Sequence, residues 1–178
     1  MKIKIIDDFL SAEEYLIMKN VILGNSFPWY MANYILTKDN IKCDIKYDYQ
    51  LTHDFYRFMA PRSDHFITLT SLLQKIDPFS IISIKCNLNP GLDSHIEYGY
   101  HVDYTDNRCH GLKTAIYYFT TTNGKTLIKD MEDIVEVDCI ENRLVIFDAD
   151  MEHTGISCTD SKFRCLLNLN YIEKEKVL

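Results

Sequence analysis

Beyond Pro78 the chain carries seven short stretches of strand-like character and no helical periodicity between them, and this order restricts the architecture more than any other feature. Ile82, Ile84, Cys86 and Leu88 recur at every second residue, the period of a half-buried strand. Ile96–Val102, Thr114–Thr120, Thr126–Ile128, Ile134–Val137, Arg143–Phe147 and Arg164–Tyr171 follow as further strands. Asn89-Pro90-Gly91 and Asn123-Gly124 read as turns between them. Before Pro78 the reading is different: an opening strand, Lys2–Ile6, and two helices. The first helix runs from Ser11 to about Leu23. Ser11 and Glu14 form a capping box, Tyr15, Met18 and Ile22 mark the inner face, and Gly24 suits a left-handed cap. The second fits Asp64 to Ile76, with Leu69, Leu72, Leu73 and Ile76 inward and Pro78 beyond its end. Strand, helices, then many short strands specify an α+β fold in which helices back an antiparallel sandwich or barrel.

The length of 178 residues fits a single domain, 1–178, divided into an N-terminal part, 1–80, and a strand-rich core, 81–172. With 47% apolar and 25% charged residues the composition is that of a folded globular chain. A net charge of −7 argues against a nucleic-acid partner, which favours basic surfaces. No apolar run approaches a membrane span, and two acids at Asp7-Asp8 interrupt the start too early for a signal peptide. No two of the six cysteines have the two-residue gap of a zinc or redox motif, so they read as reduced, buried residues of a cytoplasmic protein. Nine of the 22 aromatics fall between Phe27 and Phe58. Such crowding makes either a packing layer over a sheet or the wall of a ligand pocket.

The segment Tyr100-His101-Val102-Asp103 carries the chemical signal. On a strand, residues i and i+2 share a face, so His101 and Asp103 project together. An imidazole, a carboxylate and one more imidazole from a distant strand make the facial triad of non-haem Fe(II). The pair alone decides little: chance gives about one His-x-acid triplet in a chain of this composition, and His95-Ile96-Glu97 is a competitor. Downstream, His110 follows too closely, whereas His153 stands just beyond the apolar strand Arg143–Phe147. Arg164 opens the last strand, both faces of which look partly buried. A buried guanidinium requires an anion, either a ligand carboxylate or a structural partner such as Asp148, Asp150 or Glu152. His53, His65 and His110 read as surface or helix positions.

Taken together, His101-x-Asp103, His153 and Arg164 resemble the 2-oxoglutarate- and Fe(II)-dependent oxygenases, in particular their prolyl-4-hydroxylase-like branch. Lys113–Phe119, Asn123-Gly-Lys-Thr126 and Asn142-Arg-Leu-Val-Ile-Phe-Asp148 resemble that branch's strand after the metal motif, its Gly-Gly-x-Thr turn and its Gly-Arg-Leu-x-x-Phe strand. Phe147–Gly155 and Asn168–Tyr171 are similar to bacteriophage-encoded members, which implies a host cytoplasm. The resemblance covers about residues 81–172 and implies a double-stranded β-helix, or jelly roll. It implies iron held by His101, Asp103 and His153, and a 2-oxoglutarate cosubstrate whose C5 carboxylate is bound by Arg164 and Tyr117. Asn87 and Asn168 are the candidates for the C1 carboxylate. Dioxygen and an unidentified substrate, a peptide or a small molecule, complete the set, with ascorbate as an accessory reductant. Asp103, absent from the family's halogenases, favours hydroxylation. Two other readings stand beside this one: a cupin-like jelly roll that binds a ligand without oxygen chemistry, and a nucleic-acid oxygenase. The second is disfavoured by Asn170, where repair demethylases carry a second arginine. The loop Thr105–Gly111 and part of the aromatic stretch are expected to close over the site.

Overall fold

The computed structural model describes residues 3–36, 42–104 and 111–174. In chain order these form β1 (Ile3–Ile6), α1 (Ala12–Ile22), β2 (Tyr30–Ala32), β3 (Gln50–Arg57), β4 (Ala60–Pro61) and α2 (Thr70–Ile76). The remainder is strand: β5 (Ser80–Pro90), β6 (Leu112–Tyr118), β7 (Thr122–Asp130), β8 (Asp133–Cys139), β9 (Leu144–Asp148), β10 (His153–Ile156) and β11 (Phe163–Ile172). The large sheet has the order β1-β9-β6-β11-β5-β3-β2, with β4 paired to β3, and the small sheet has the order β10-β7-β8. Every pairing between these strands is antiparallel. This is the jelly roll expected from the sequence. Its N-terminal part is not a separate layer, because β1 pairs with β9 and β3 with β5.

Two apolar layers hold the sheets. Ile116 and Tyr118 of β6, Val145 and Phe147 of β9 and Leu166 of β11 meet Ile128, Val137 and Cys139 of the small sheet. On the outer face of the large sheet, Ile84, Cys86, Tyr117, Leu167, Leu169 and Tyr171 pack against Tyr15, Met18 and Ile22 of α1 and Leu72 of α2. The helices therefore back the sheet, and α1 starts at the expected capping box, where Ser11 and Glu14 satisfy each other's backbone N–H. The expected second helix begins as a 3-10 stretch, Asp64–Leu69, before becoming α2. Gly24 is not left-handed; a Cβ there would lie 2.7 Å from the Asn20 carbonyl oxygen, so close approach is its constraint.

Three further expectations need correction. Ile96–Val102 is not a continuous strand: it makes only isolated bridges, Glu97 to Ile156 and His101 to His153. Gly99, at φ 125°, interrupts the ladder between them. Asn123-Gly124 is not a hairpin turn but lies within β7 at a register shift. His53 is a core residue, 3% exposed, whose Nδ1 lies 2.7 Å from the Pro28 carbonyl and whose ring packs on Phe27 and Phe55. The five described cysteines are unpaired; all but Cys43 are buried. No described helix is long and apolar enough to cross a membrane.

Asn142 joins the N-terminal segment to the core. Its buried side chain accepts from Leu10 N at 2.9 Å and the Tyr117 hydroxyl at 2.7 Å, and donates to Leu10 O at 2.9 Å. Its φ of 61° lies in the left-handed region, which asparagine tolerates better than most residues other than glycine. Asn142→Ala should lose about 2–4 kcal/mol in urea unfolding. Asn142→Gly, which keeps the backbone geometry but not the hydrogen bonds, should lose about 1 kcal/mol less.

Candidate metal centre

His153 opens β10, and its backbone exchanges hydrogen bonds of 3.0 and 2.9 Å with His101 across the sheet gap. That pairing sets the two imidazoles side by side, ring centroids 4.4 Å apart. Asp103 Oδ1 lies 3.9 Å from His101 Nε2 and 3.9 Å from His153 Nε2. One ligand atom from each residue lies within 4.8 Å of the others, and this is the set of metal-type side chains so placed among the described residues.

The surroundings aim each atom. Asp103 Oδ2 accepts from the Thr114 hydroxyl at 2.8 Å and from the Asn170 and Asn168 amides at 2.8 and 3.2 Å. Three donors on one oxygen fix the carboxylate and leave Oδ1 toward the histidines. His153 Nδ1 lies 3.1 Å from the Met151 carbonyl, which can only accept. Nδ1 therefore carries the proton, and the Nε2 lone pair faces the site. The buried Nδ1 of His101 has no hydrogen-bond partner. Burial, with the adjacent His153, pushes His101 down to about 4, so it is neutral at pH 7, as a ligand must be. Burial tends to raise Asp103, but His153 and the bonds from Asn170 and Thr114 outweigh it and hold the carboxyl below its usual range. Two imidazoles and one carboxylate suit a divalent transition metal with an open face, Fe(II) among them. The competing pair points elsewhere: His95 Nδ1 lies 2.8 Å from the Ser157 carbonyl, and Glu97 bridges to Ile156.

The triad borders a cavity of about 100 Å³ between the sheets, which Arg164, Thr126, Asn87 and Asn168 also line. Arg164 is 2% exposed, and no acid lies within ion-pair distance among the described residues. Of the structural partners considered, Asp148 takes Lys113 and Glu152 takes Lys129. The guanidinium donates from Nη2 to Thr126 Oγ1 at 2.8 Å and rests over the Tyr118 ring at 5.5 Å, while its buried Nε has no partner. The Tyr118 hydroxyl also donates to Thr126 Oγ1, at 2.8 Å. With both lone pairs of that hydroxyl used, its proton is free to donate into the cavity. A buried cation without an acid partner, beside a free donor, has the chemistry to receive a carboxylate. Gly124 keeps it open: a Cβ there would lie 2.9 Å from Arg164 Cδ and 2.8 Å from the Ile156 carbonyl oxygen.

Tyr117 is a correction. It sits on the opposite face of β6, in the helix-side core, with its hydroxyl on Asn142; Ile116 is the β6 residue that lines the cavity. Asn168 reaches Asp103 through Nδ2, leaving its buried Oδ1 unpartnered, and Asn87 Oδ1 is likewise buried and unpartnered. The expected lid, Thr105–Gly111, lies outside the described residues but for Gly111. Sequence reasoning missed Thr126 as a donor and missed Thr114 and Asn170 as anchors of Asp103. The signal for the polar wall was present: Lys85, Asn87 and Asn89 alternate with Ile84, Cys86 and Leu88.

No family model and no curated protein matches the chain by sequence. By structure it has the fold of the 2-oxoglutarate–Fe(II) oxygenases. An oxidoreductase of that family from Burkholderia pseudomallei superposes with a TM-score of 0.70 at 11% identity, over 96% of this chain and 85% of that one. A prolyl hydroxylase from Trichoplax adhaerens, in complex with a peptide of the hypoxia inducible factor oxygen degradation domain, gives 0.63 at 17% identity, over 97% and 84%. The α-ketoglutarate-dependent epimerase SnoN of nogalamycin biosynthesis gives 0.68 at 10%, over 97% and 78%.

Mn(II) at about 100 times its dissociation constant should raise stability by about 2.7 kcal/mol, read as an upward shift in Tm. His153→Ala should abolish that shift. Asn170→Leu, which leaves all three ligands in place but frees Asp103 to turn, should weaken Mn(II) binding at least about tenfold by calorimetry.

Proposed function

We propose that the chain is an Fe(II)- and 2-oxoglutarate-dependent oxygenase that hydroxylates its substrate. The observation that carries the reading is the joint presence, on one cavity, of a His-Asp-His triad and a buried arginine with no acid partner among the described residues. Residues 1–178 act as one unit in this reading, since both sheets contribute to the cavity. His101, Asp103 and His153 hold the metal, and Thr114, Asn168 and Asn170 keep the Asp103 carboxylate turned toward it. Arg164 and Thr126 bind the C5 carboxylate of 2-oxoglutarate; Tyr118 acts through Thr126 by occupying its second lone pair. Asn87 is the remaining candidate for the C1 carboxylate, because Asn168 already commits its amide nitrogen to Asp103. When bound, Fe(II) supplies the dioxygen chemistry, in which 2-oxoglutarate loses CO2 to give succinate, one oxygen atom entering succinate and the other a substrate C–H bond. Apolar packing around the site, with Phe147 against His153 and Leu166 on the cavity wall, limits water there. The bacteriophage-like phrasing of Phe147–Gly155 favours a role in a host cytoplasm, and ascorbate would serve as an accessory reductant.

The substrate is a peptidyl side chain or a small molecule. Among proteins of this fold, the Trichoplax adhaerens enzyme holds a peptide, and SnoN belongs to the biosynthesis of nogalamycin.

Calorimetry of the Mn(II)-loaded protein with 2-oxoglutarate tests the reading. Binding is expected in the wild type, and succinate should accumulate with Fe(II), ascorbate and dioxygen. Arg164→Lys keeps the charge but loses the two-pronged geometry, and should weaken 2-oxoglutarate binding by at least about tenfold. A wild-type protein that binds metal but not 2-oxoglutarate would be the cupin-like binder instead.

A further inference from the structure

A second cavity, about 180 Å³, shares Lys85, Asp103 and Asn168 with the first and is otherwise walled by Asp54, Arg57, Ser83, Tyr104 and Asn170. Among the described residues no aliphatic side chain lines it. Its volume is below the roughly 300 Å³ at which pockets for drug-sized ligands begin. A small polar substrate fits such a wall; a prolyl ring or a polycyclic skeleton finds no aliphatic side chain there among the described residues.

The charges narrow the class further. Lys85 on β5 and Asp54 on β3 are register partners, which sets their Cβ atoms about 5 Å apart. Opposite charges so placed ordinarily close into an ion pair, yet none within 4.0 Å joins these two. Asp54 instead meets Arg57 Nη1 at 3.4 Å, in a half-exposed contact of little strength. The Lys85 ammonium has no hydrogen bond or ion pair to any described residue, although burial pushes its pKa down and Asp103 and Asp54 only partly offset that. The other neighbour of Lys85 across the sheet is Asn168, already bound to Asp103. The Lys85 ammonium thus stands unpaired among the described residues, beside a carboxylate held by a weak Arg57 contact, and both line a cavity that Asp103 also lines.

We propose that the substrate is a free amino acid, its carboxylate held by the Lys85 ammonium and its own ammonium by Asp54. The carboxylate and ammonium of an amino acid sit on one carbon, so two adjacent protein charges of opposite sign are their complement. This seat lies beside Asp103, and a side chain extending from it would reach the triad along the Lys85, Asp103 and Asn168 border that the two cavities share. Lys85 sets specificity: it distinguishes a free acid from the amide of a peptide chain. The proposal rests on the oxygenase reading and deepens it.

The test uses the Mn(II)-loaded full chain with saturating 2-oxoglutarate. Thermal unfolding is followed with a mixture of the twenty common amino acids and, separately, with their primary carboxamides. The acids should raise Tm and the carboxamides should not. Calorimetry with the active amino acid should then show at least about tenfold weaker binding in Lys85→Met, partial recovery in Lys85→Arg, and 2-oxoglutarate affinity within about threefold of wild type in both. No shift with the acids, or equal shifts with acids and carboxamides, overturns the proposal. So does a Lys85→Met protein that loses 2-oxoglutarate instead, which would assign Lys85 to the cosubstrate. If the wild type fails to bind 2-oxoglutarate at all, the oxygenase reading itself has failed.

Discussion

Two charges of opposite sign are buried on one cavity wall without touching, and the rest of the structure is arranged around keeping them there. Burying an ion costs several kcal/mol even after the protein relaxes. Asp103 meets that cost with three neutral donors on a single oxygen, each charge-assisted bond contributing about 1.5–3 kcal/mol. Sum and cost are of the same size, so the carboxylate stays ionised with one oxygen unspent. Arg164 has only one hydroxyl and a ring face. Its charge is left for a ligand to meet. A fold selected for stability alone would have let the two charges meet, or removed both.

Strand β11 makes the separation possible. It carries Arg164 near one end and Asn168 and Asn170 toward the other; four residues of strand between Arg164 and Asn168 span about 13 Å. Hydrogen bonds to β5 and β6 hold it on both sides, and its alternate residues Cys165, Leu167, Leu169 and Tyr171 are buried under the helices. A one-residue slip would move every polar group out of the cavity and every apolar group into it, so the helix-side packing fixes the site's register. β5 repeats the device, with Lys85, Asn87 and Asn89 toward the cavity and Ile84 and Cys86 toward the helices. The helices thus shape the chemistry without contributing a residue to it.

This two-sided burial explains what the sequence made legible. The alternation of β5 and β11, the capping box of α1 and the triad spacing are local patterns, and each could be read along the chain. Gly124 and Asn142 were legible only as motif positions. Their physical reasons, a guanidinium packed against one and a left-handed turn at the other, come from residues far away in sequence. The strand expected through His101 failed for a related reason. Gly99 breaks the ladder, and backbone bonds to β10 on either side of it keep His101 in place nonetheless. The pairing of His101 with His153 is what the triad required, and it needed two bridges rather than a continuous strand.

Tyr117 shows where counting along the chain gives way to geometry. The resemblance implies that it binds a carboxylate, but on a strand the parity of a position decides its face. β6 turns Ile116 and Tyr118 inward and Tyr117 outward, because Tyr117 is needed on the helix side, packed edge-on to Phe9, Tyr15 and Phe119. The inward Tyr118 stops short of lining the cavity and spends its hydroxyl on Thr126. The inward tyrosine thus acts on the cavity through a threonine, whose proton is left to face it. Tyr118 stands under the guanidinium, so the donors turned to that end of the cavity are the Arg164 fork and the Thr126 hydroxyl.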